Sequence, residues 1–274
     1  MPAEARHAAT VILVRPAPPA GPGGTAYETF MVRRPVQSAF APDVYVFPGG
    51  TLRPDDALPP DAPRPRLDPA VAHARLGGAA AAGLATPVES LALWVAALRE
   101  LFEEAGVLLA LTPDGEMVGF RDPATTARFA AYRIALQAGE TSLWAVAAQE
   151  QLTLAPERLT YWAHWVTPLS RPKRYNTRFF LAEMPTGQEA LHCAVETTDG
   201  LWVAPSVALA SHAAGQFPLV FATQAHLRRL AQFPTLDALW ACAATKPVVT
   251  VLPREDGDRT PPRFIIPPEV EECW

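Results

Sequence analysis

Thirty prolines in 274 residues, about twice the usual share, decide first where regular structure cannot run. They bunch in "RPAPPAGPGG" (15–24), "RPDDALPPDAPRPRLDP" (53–69) and "PPRFIIPP" (261–268). Proline fixes φ and donates no hydrogen bond, so these blocks are loops, and strands and helices must lie between them. "AATVILVRP" and "YETFMVRRP" flank the first block and are rich in Val, Ile, Phe and Tyr, the pattern of an antiparallel strand pair. A short strand, "VYVFPGG", ends at Gly49 and Gly50.

Downstream, residues 69–82 predict an Ala-rich helix and residues 89–105 a stronger one, with Ser90 as its cap and Gly106 in the left-handed position past its end. Further helices are expected at 123–138 and 142–151, strands at "LTYWAHWVTP", "TRFFLAEMP" and "GLWVAP", and two or three helices between Pro205 and Ala244. "PVVTVLP" reads as an edge strand. This irregular order implies an α/β (α+β) domain in which a mixed sheet lies between helices.

The chain carries 28 acidic and 23 basic residues, a net charge of −5, which argues against global attraction to nucleic acid. Cys193, Cys242 and Cys273 form no CxxC pair and read as reduced thiols of a cytoplasmic protein. The amino-terminal VILV run is too short for a signal-peptide core, and the apolar stretch 77–98 is broken by Pro87 and Glu89, so neither secretion nor a membrane span is expected.

Within the apolar helix, "ALRELFEEAG" gathers Arg99, Glu100, Glu103 and Glu104. Residues three and four apart share a helix face, so three carboxylates converge and Arg99 reaches Glu103. Two readings compete. Such charges are ordinarily a solvated face, but crowded carboxylates also suit a divalent cation that takes oxygen ligands, such as Mg2+ or Mn2+. The glycine pair after "VYVFP" allows close backbone approach and offers a carbonyl as a further ligand, though a Pro-Gly-Gly turn is most often only a turn.

"RELFEEAGV", residues 99–107, together with Gly50, resembles the Nudix box, G-x5-E-x7-R-E-U-x-E-E-x-G-U, where U is a bulky aliphatic residue. Every fixed position of the second half matches. The box is split, because Gly50 precedes Arg99 by 49 positions and about 35 residues are inserted. The isolated glutamate of the pattern falls on Leu91, and the nearest acid is Glu89. A split box followed by "NTRFFLAEMP" is similar to the branch that contains the peroxisomal coenzyme A diphosphatases of animals and their bacterial relatives. The carboxyl-terminal "EECW" is not a Ser-Lys-Leu type signal, so no peroxisomal address is implied.

The resemblance implies a single Nudix-type α/β/α domain over 1–274, with one insertion at about 52–88 inside the box and a helical one at about 113–156. It further implies cation-dependent hydrolysis of a diphosphate bond in a nucleoside diphosphate linked to another moiety. Carried over, Glu103 and Glu104 are the principal metal ligands, Glu100 is a ligand or the base, Arg99 orients a carboxylate and the Gly50 carbonyl completes a site. Glu196, six positions before Trp202, is either an extra ligand or the opening of a turn.

For a polyanionic substrate, "SRPKRYNTRFF" offers Arg171, Lys173, Arg174 and Arg178 to the phosphates and Tyr175 to a base, unless it is a solvated loop entering a strand. His164, in an apolar strand, reads as a satisfied histidine. Coenzyme A or an acyl-coenzyme A is the favoured substrate. NADH, ADP-ribose and nucleotide sugars form the alternative, and a non-catalytic ligand-binding module of the same fold is the third reading. The helical segment at 122–152 is either a lid or a homodimer surface.

Overall fold

The computed structural model describes residues 3–17, 24–38, 41–77, 83–120, 122–193, 197–257 and 263–274. The VILV run lies at the middle of the sheet, in strand β1 (Ala5–Pro16). Val11 and Leu13 face one core while Ile12 and Val14 face a second, and burial on both sides explains why the run shows no polar alternation.

Along one edge β1 pairs in parallel with β8 (Arg174–Glu183), from Ala5↔Arg174 to Val14↔Glu183. Its other edge is shared. β2 (Tyr27–Arg33) pairs antiparallel at Val14–Pro16, whereas β4 (Gly49–Thr51) takes Ala8–Thr10. This fork brings the glycine pair beside the middle of the sheet. β3 (Tyr45–Val46) and β9 (Asp199–Val203) extend β2, while β7 (Thr160–Val166) joins β8 and carries β10 (Thr250–Val251) at the far edge. The strand expected at "VYVFPGG" is thus two strands, and the glycines open the second one instead of ending the first. Two small ladders, β5 (Ala110–Leu111) with β6 (Thr153–Leu154) and β11 (Arg254–Asp256) with β12 (Arg263–Ile265), lie off this sheet.

One face is covered by α1 (Pro69–Arg75), α2 (Pro87–Ala105), α3 (Pro123–Gln137) and α4 (Leu143–Gln149). The other carries α5 (Pro205–Ala213), α6 (Phe221–Leu230), α7 (Leu236–Thr245) and the short α8 (Pro268–Glu271). Helix α2 is buried from Ser90 to Ala105, enclosed by the sheet on one side and the two inserted segments on the others. Its cap is Thr86, not Ser90. Pro87 fits the first helical position, and Thr86 and Glu89 form a reciprocal capping box that starts the helix earlier. Ser90 instead hydrogen-bonds His73 of α1 at 2.8 Å. No helix among the described residues is long and apolar enough to cross a membrane.

Candidate active site

The solvated-face reading of the charged helix fails on burial: Arg99 and Glu103 are 0% exposed, Glu100 4% and Glu104 5%. Gly106, at φ 69°, ends α2 in the left-handed conformation that its lack of a Cβ permits. The last turn is fastened from α3, where Arg133 Nε and Gln137 Nε2 donate to the Glu103 carbonyl at 2.8 and 2.9 Å. The segment at 122–152 therefore abuts the charged turn directly.

Buried charge must be paired, and Arg99 is paired on every side. Its Nη1 donates to Glu100 Oε1 at 2.7 Å and to Glu103 Oε2 at 3.2 Å. Nε and Nη2 form a fork on Asp56 at 2.7 and 3.0 Å, and Nη2 also donates to the Thr51 carbonyl at 3.0 Å. Burial opposes the charge on Arg99, but Asp56, Glu100 and Glu103 outweigh it and raise its pKa. Arg53 makes a second fork, onto Glu103 Oε1 and Oε2 at 2.9 and 3.0 Å. Glu103 is thus bridged by two arginines, a surrounding that differs from the principal-ligand role its sequence position implies.

Glu100 and Glu104 meet the backbone of β4. The Gly49 amide donates to Glu104 Oε2 at 2.9 Å. Gly50 lies so close to Glu100 that a Cβ there would come within 2.6 Å of both carboxylate oxygens, so any larger residue would displace that carboxylate. Burial pushes the Glu100 carboxyl up to about 7, with the Glu103 charge adding to the rise and Arg99 pulling against it. Among the described residues no three acidic, histidine or cysteine side chains close a cage for a metal ion. The partial donor set of two carboxylates beside a glycine backbone nevertheless fits Mg2+ or Mn2+. Mg2+ in particular is commonly held by one or two carboxylates and keeps waters and substrate phosphate in its shell.

The basic stretch does not form one patch. Strand alternation turns Arg174, Asn176 and Arg178 toward the α2 face and Tyr175 away from it. Arg178 is buried, donates from Nη1 to His7 Nδ1 and Asn176 Oδ1 at 2.9 Å each, and shares a sheet row with Ala9 and Gly50. Two strand spacings put it about 10 Å from Gly50. Arg174 is tied to the carbonyls of Thr167 and Ala3, Arg171 lies over the Phe264 ring, and Lys173 is exposed in the β7–β8 turn. His164 is buried and hydrogen-bonded to Thr250 and Asn176, a satisfied histidine as expected. Glu196 lies outside the described residues.

Asp56 and Arg53 are site residues not singled out in the sequence. Both sit in the proline-rich stretch read as a loop; counted forward from Gly50, the G-x5-E of the box puts its acid on Asp56, whereas no pattern ties Arg53 to Glu103.

The profile of the NUDT19 Nudix domain matches residues 5–230, which include β1, the glycine pair, α2 and β8. The chain belongs to this Nudix hydrolase family. It is 34% identical over 215 residues to the acyl-coenzyme A diphosphatase NUDT19 of Gallus gallus, covering 66% of this chain and 56% of that protein. It therefore spans little more than half the length of that relative. A Nudix hydrolase structure from Alicyclobacillus acidocaldarius superposes with a TM-score of 0.61 at 26% identity, covering 88% of this chain and 96% of the other. The mixed α/β Nudix fold expected from the split box is thereby established.

Proposed function

We propose that this Nudix family member hydrolyses the diphosphate bond of coenzyme A or an acyl-coenzyme A, with Mg2+ or Mn2+ held by Glu100 and Glu104. The observation that carries the reading is the convergence of these two carboxylates on the Gly49–Gly50 backbone, beside an arginine whose Nε–Nη2 edge is filled by Asp56. The Gly50 carbonyl is the third oxygen of the proposed donor set. A bound cation would neutralise charge on the transferring phosphoryl group and lower the pKa of water.

The chain's own residues do the rest. Arg99 holds Glu100 by Oε1, which fixes that carboxylate against the glycine strand. Glu100, held beside the glycine strand, is also the group on α2 assigned to take a proton from water. Glu103 anchors Arg53 and Arg99, so its work is to hold the arginines in place. Arg178, in the sheet row of Gly50, is the member of the basic stretch assigned to the diphosphate and the exposed Lys173 to the outer parts of the substrate, while Arg171 and Arg174 have other partners and Tyr175 lies on the opposite face. The substrate class follows the likeness to the avian acyl-coenzyme A diphosphatase, and the free thiols fit a cytoplasmic setting.

The test is incubation with Mg2+ or Mn2+ and coenzyme A, acetyl-coenzyme A, NADH, ADP-ribose or a nucleotide sugar, with products identified by mass. Adenosine 3′,5′-bisphosphate and 4′-phosphopantetheine from coenzyme A are the expected products. Preferential cleavage of another member keeps the site and replaces the substrate, while ligand binding without turnover of any member contradicts the reading.

A further inference from the structure

Strand β4 ends at Thr51, and its register with β1 covers only Ala8–Thr10. Among the described residues no strand lies beside Ala5–His7 on that edge of β1. A cleft of about 320 Å³ opens there, lined by Glu4, Ala5, Arg6, His7 and Leu52. The Leu52 amide donates to the His7 carbonyl at 3.0 Å, and Leu52 is two residues past Gly50, about 7 Å along the chain. His7 and Leu52 belong to the α2 face and Arg6 to the opposite one, so the cleft runs around the open edge of the sheet, next to the proposed donor set.

The guanidinium of this cleft is that of Arg6. It is exposed, and its Nη2 donates to Thr51 Oγ1 at 3.3 Å. The Thr51 carbonyl in turn accepts from Arg99 Nη2 at 3.0 Å, so Arg6 rests one residue from Gly50 on a segment pinned to α2. Among the described residues Arg6 enters no ion pair. Glu4, the acid of the lining, is exposed to water, which screens it. In coenzyme A a single ribose separates the 5′-diphosphate from a 3′-phosphate, a group that NADH, ADP-ribose and nucleotide sugars lack. A cation one residue from the strand that addresses the diphosphate is within reach of that ribose. We infer that Arg6 is a specificity-determining residue: it takes the 3′-phosphate of coenzyme A in the cleft beside Leu52, and so separates coenzyme A from nucleoside diphosphates without this group. An arginine fork matches a phosphate through two parallel N–H···O bonds, which a lysine cannot reproduce. This inference rests on the function proposed above.

The test compares kcat and KM for coenzyme A and 3′-dephospho-coenzyme A, with Mg2+, in wild type, Arg6→Gln and Arg6→Lys. Wild type should favour coenzyme A about 10-fold in kcat/KM, the worth of one charge-assisted phosphate contact at an exposed site. Arg6→Gln should bring the two substrates within about twofold of each other by raising KM for coenzyme A, while kcat and both constants for the dephospho substrate stay within about twofold of wild type. Arg6→Lys keeps the charge without the fork and should retain a preference of about threefold. Calorimetric binding of adenosine 3′,5′-bisphosphate and of AMP to the metal-free protein should show the same difference in wild type and its loss in Arg6→Gln.

Turnover of coenzyme A with no preference in wild type, or with a preference that Arg6→Gln leaves intact, overturns the inference and keeps the function. An equal loss on both substrates in Arg6→Gln also overturns it, since Arg6 would then serve the diphosphate that they share. Turnover of neither, beside cleavage of ADP-ribose or a nucleotide sugar, removes the proposed substrate and the role of Arg6 with it.

Discussion

On the α2 side of the sheet, the fully buried Arg99 meets three carboxylates and a carbonyl. On the opposite side His226 is equally buried, yet neither of its ring nitrogens has a hydrogen-bond partner among the described residues. Its ring is packed against Phe179, Trp165 and Trp274, with centroids 4.0, 5.3 and 5.2 Å away. Burial, helped by the charge of Lys246, pushes the His226 pKa down to about 3, so the imidazole is neutral. The contrast shows two solutions to one constraint. Charge is retained in the interior where a network answers it, and is given up where only aromatic rings are available. The chain retains it at the proposed metal site.

The largest effect expected from breaking this asymmetry is on turnover. Glu100→Gln and Glu104→Gln should each lower kcat by on the order of 100-fold or more, since a lost cation ligand removes several kcal/mol of transition-state stabilisation. Steady-state assays with coenzyme A check this, and a loss below about fivefold would disagree. Next comes Gly50→Ala. Its Cβ would lie 2.3 Å from Glu100 Oε1, so the carboxylate must move, and kcat should fall about 10-fold with a stability cost of about 1–3 kcal/mol.

Both glycine and glutamates were legible in the sequence, because the helical period puts Glu100, Glu103 and Glu104 together and Gly106 marks the helix end. The same period could not say whether that face was wet or dry. Dryness comes from the two inserted segments, whose packing on α2 leaves no local trace. Asp56 stands where G-x5-E, counted forward from Gly50, puts the box acid, although the same position counted back from Arg99 falls on Leu91, whereas Arg53 was hidden because a long-range ion pair has no sequence spacing. The start of α2, in contrast, was readable from Thr86, Pro87 and Glu89, and Ser90 was the wrong choice because the capping box outcompetes a lone serine. Strand alternation likewise shows that residues 171–178 could not all face one ligand.

Arg53→Ala sharpens the comparison on the charged side. It removes one of the two arginines that pair with Glu103, and since Arg53 is 30% exposed the cost should be about 1–2 kcal/mol, less than for a fully buried pair. Urea denaturation reads it, and no change would mean that the fork contributes nothing. On the neutral side, His226→Phe fits the aromatic surroundings and should change stability at pH 7.5 by less than about 1 kcal/mol.

The two faces should also respond oppositely to acid in metal-free buffer. The stabilising contribution of neutral His226 is complete above about pH 6.5 and is lost as pH falls toward 3. That of the raised Glu100 carboxyl is complete below about pH 4.5 and is lost as pH rises through about 7. Relative to wild type, His226→Phe should therefore gain stability between pH 6.5 and 5, and Glu100→Gln should lose it. Denaturation midpoints at pH 7.5, 6 and 5 give both slopes, and parallel curves for all three proteins would refute the assignment.

The central claim is that Glu100 and Glu104 face the cation while Glu103 holds the arginines. Calorimetric titration of Mn2+ into wild type and the three single Glu→Gln variants tests it most directly. Binding lost in Glu100→Gln and Glu104→Gln, but kept at reduced affinity in Glu103→Gln, is the predicted result. Binding abolished in Glu103→Gln and spared in Glu100→Gln would contradict it.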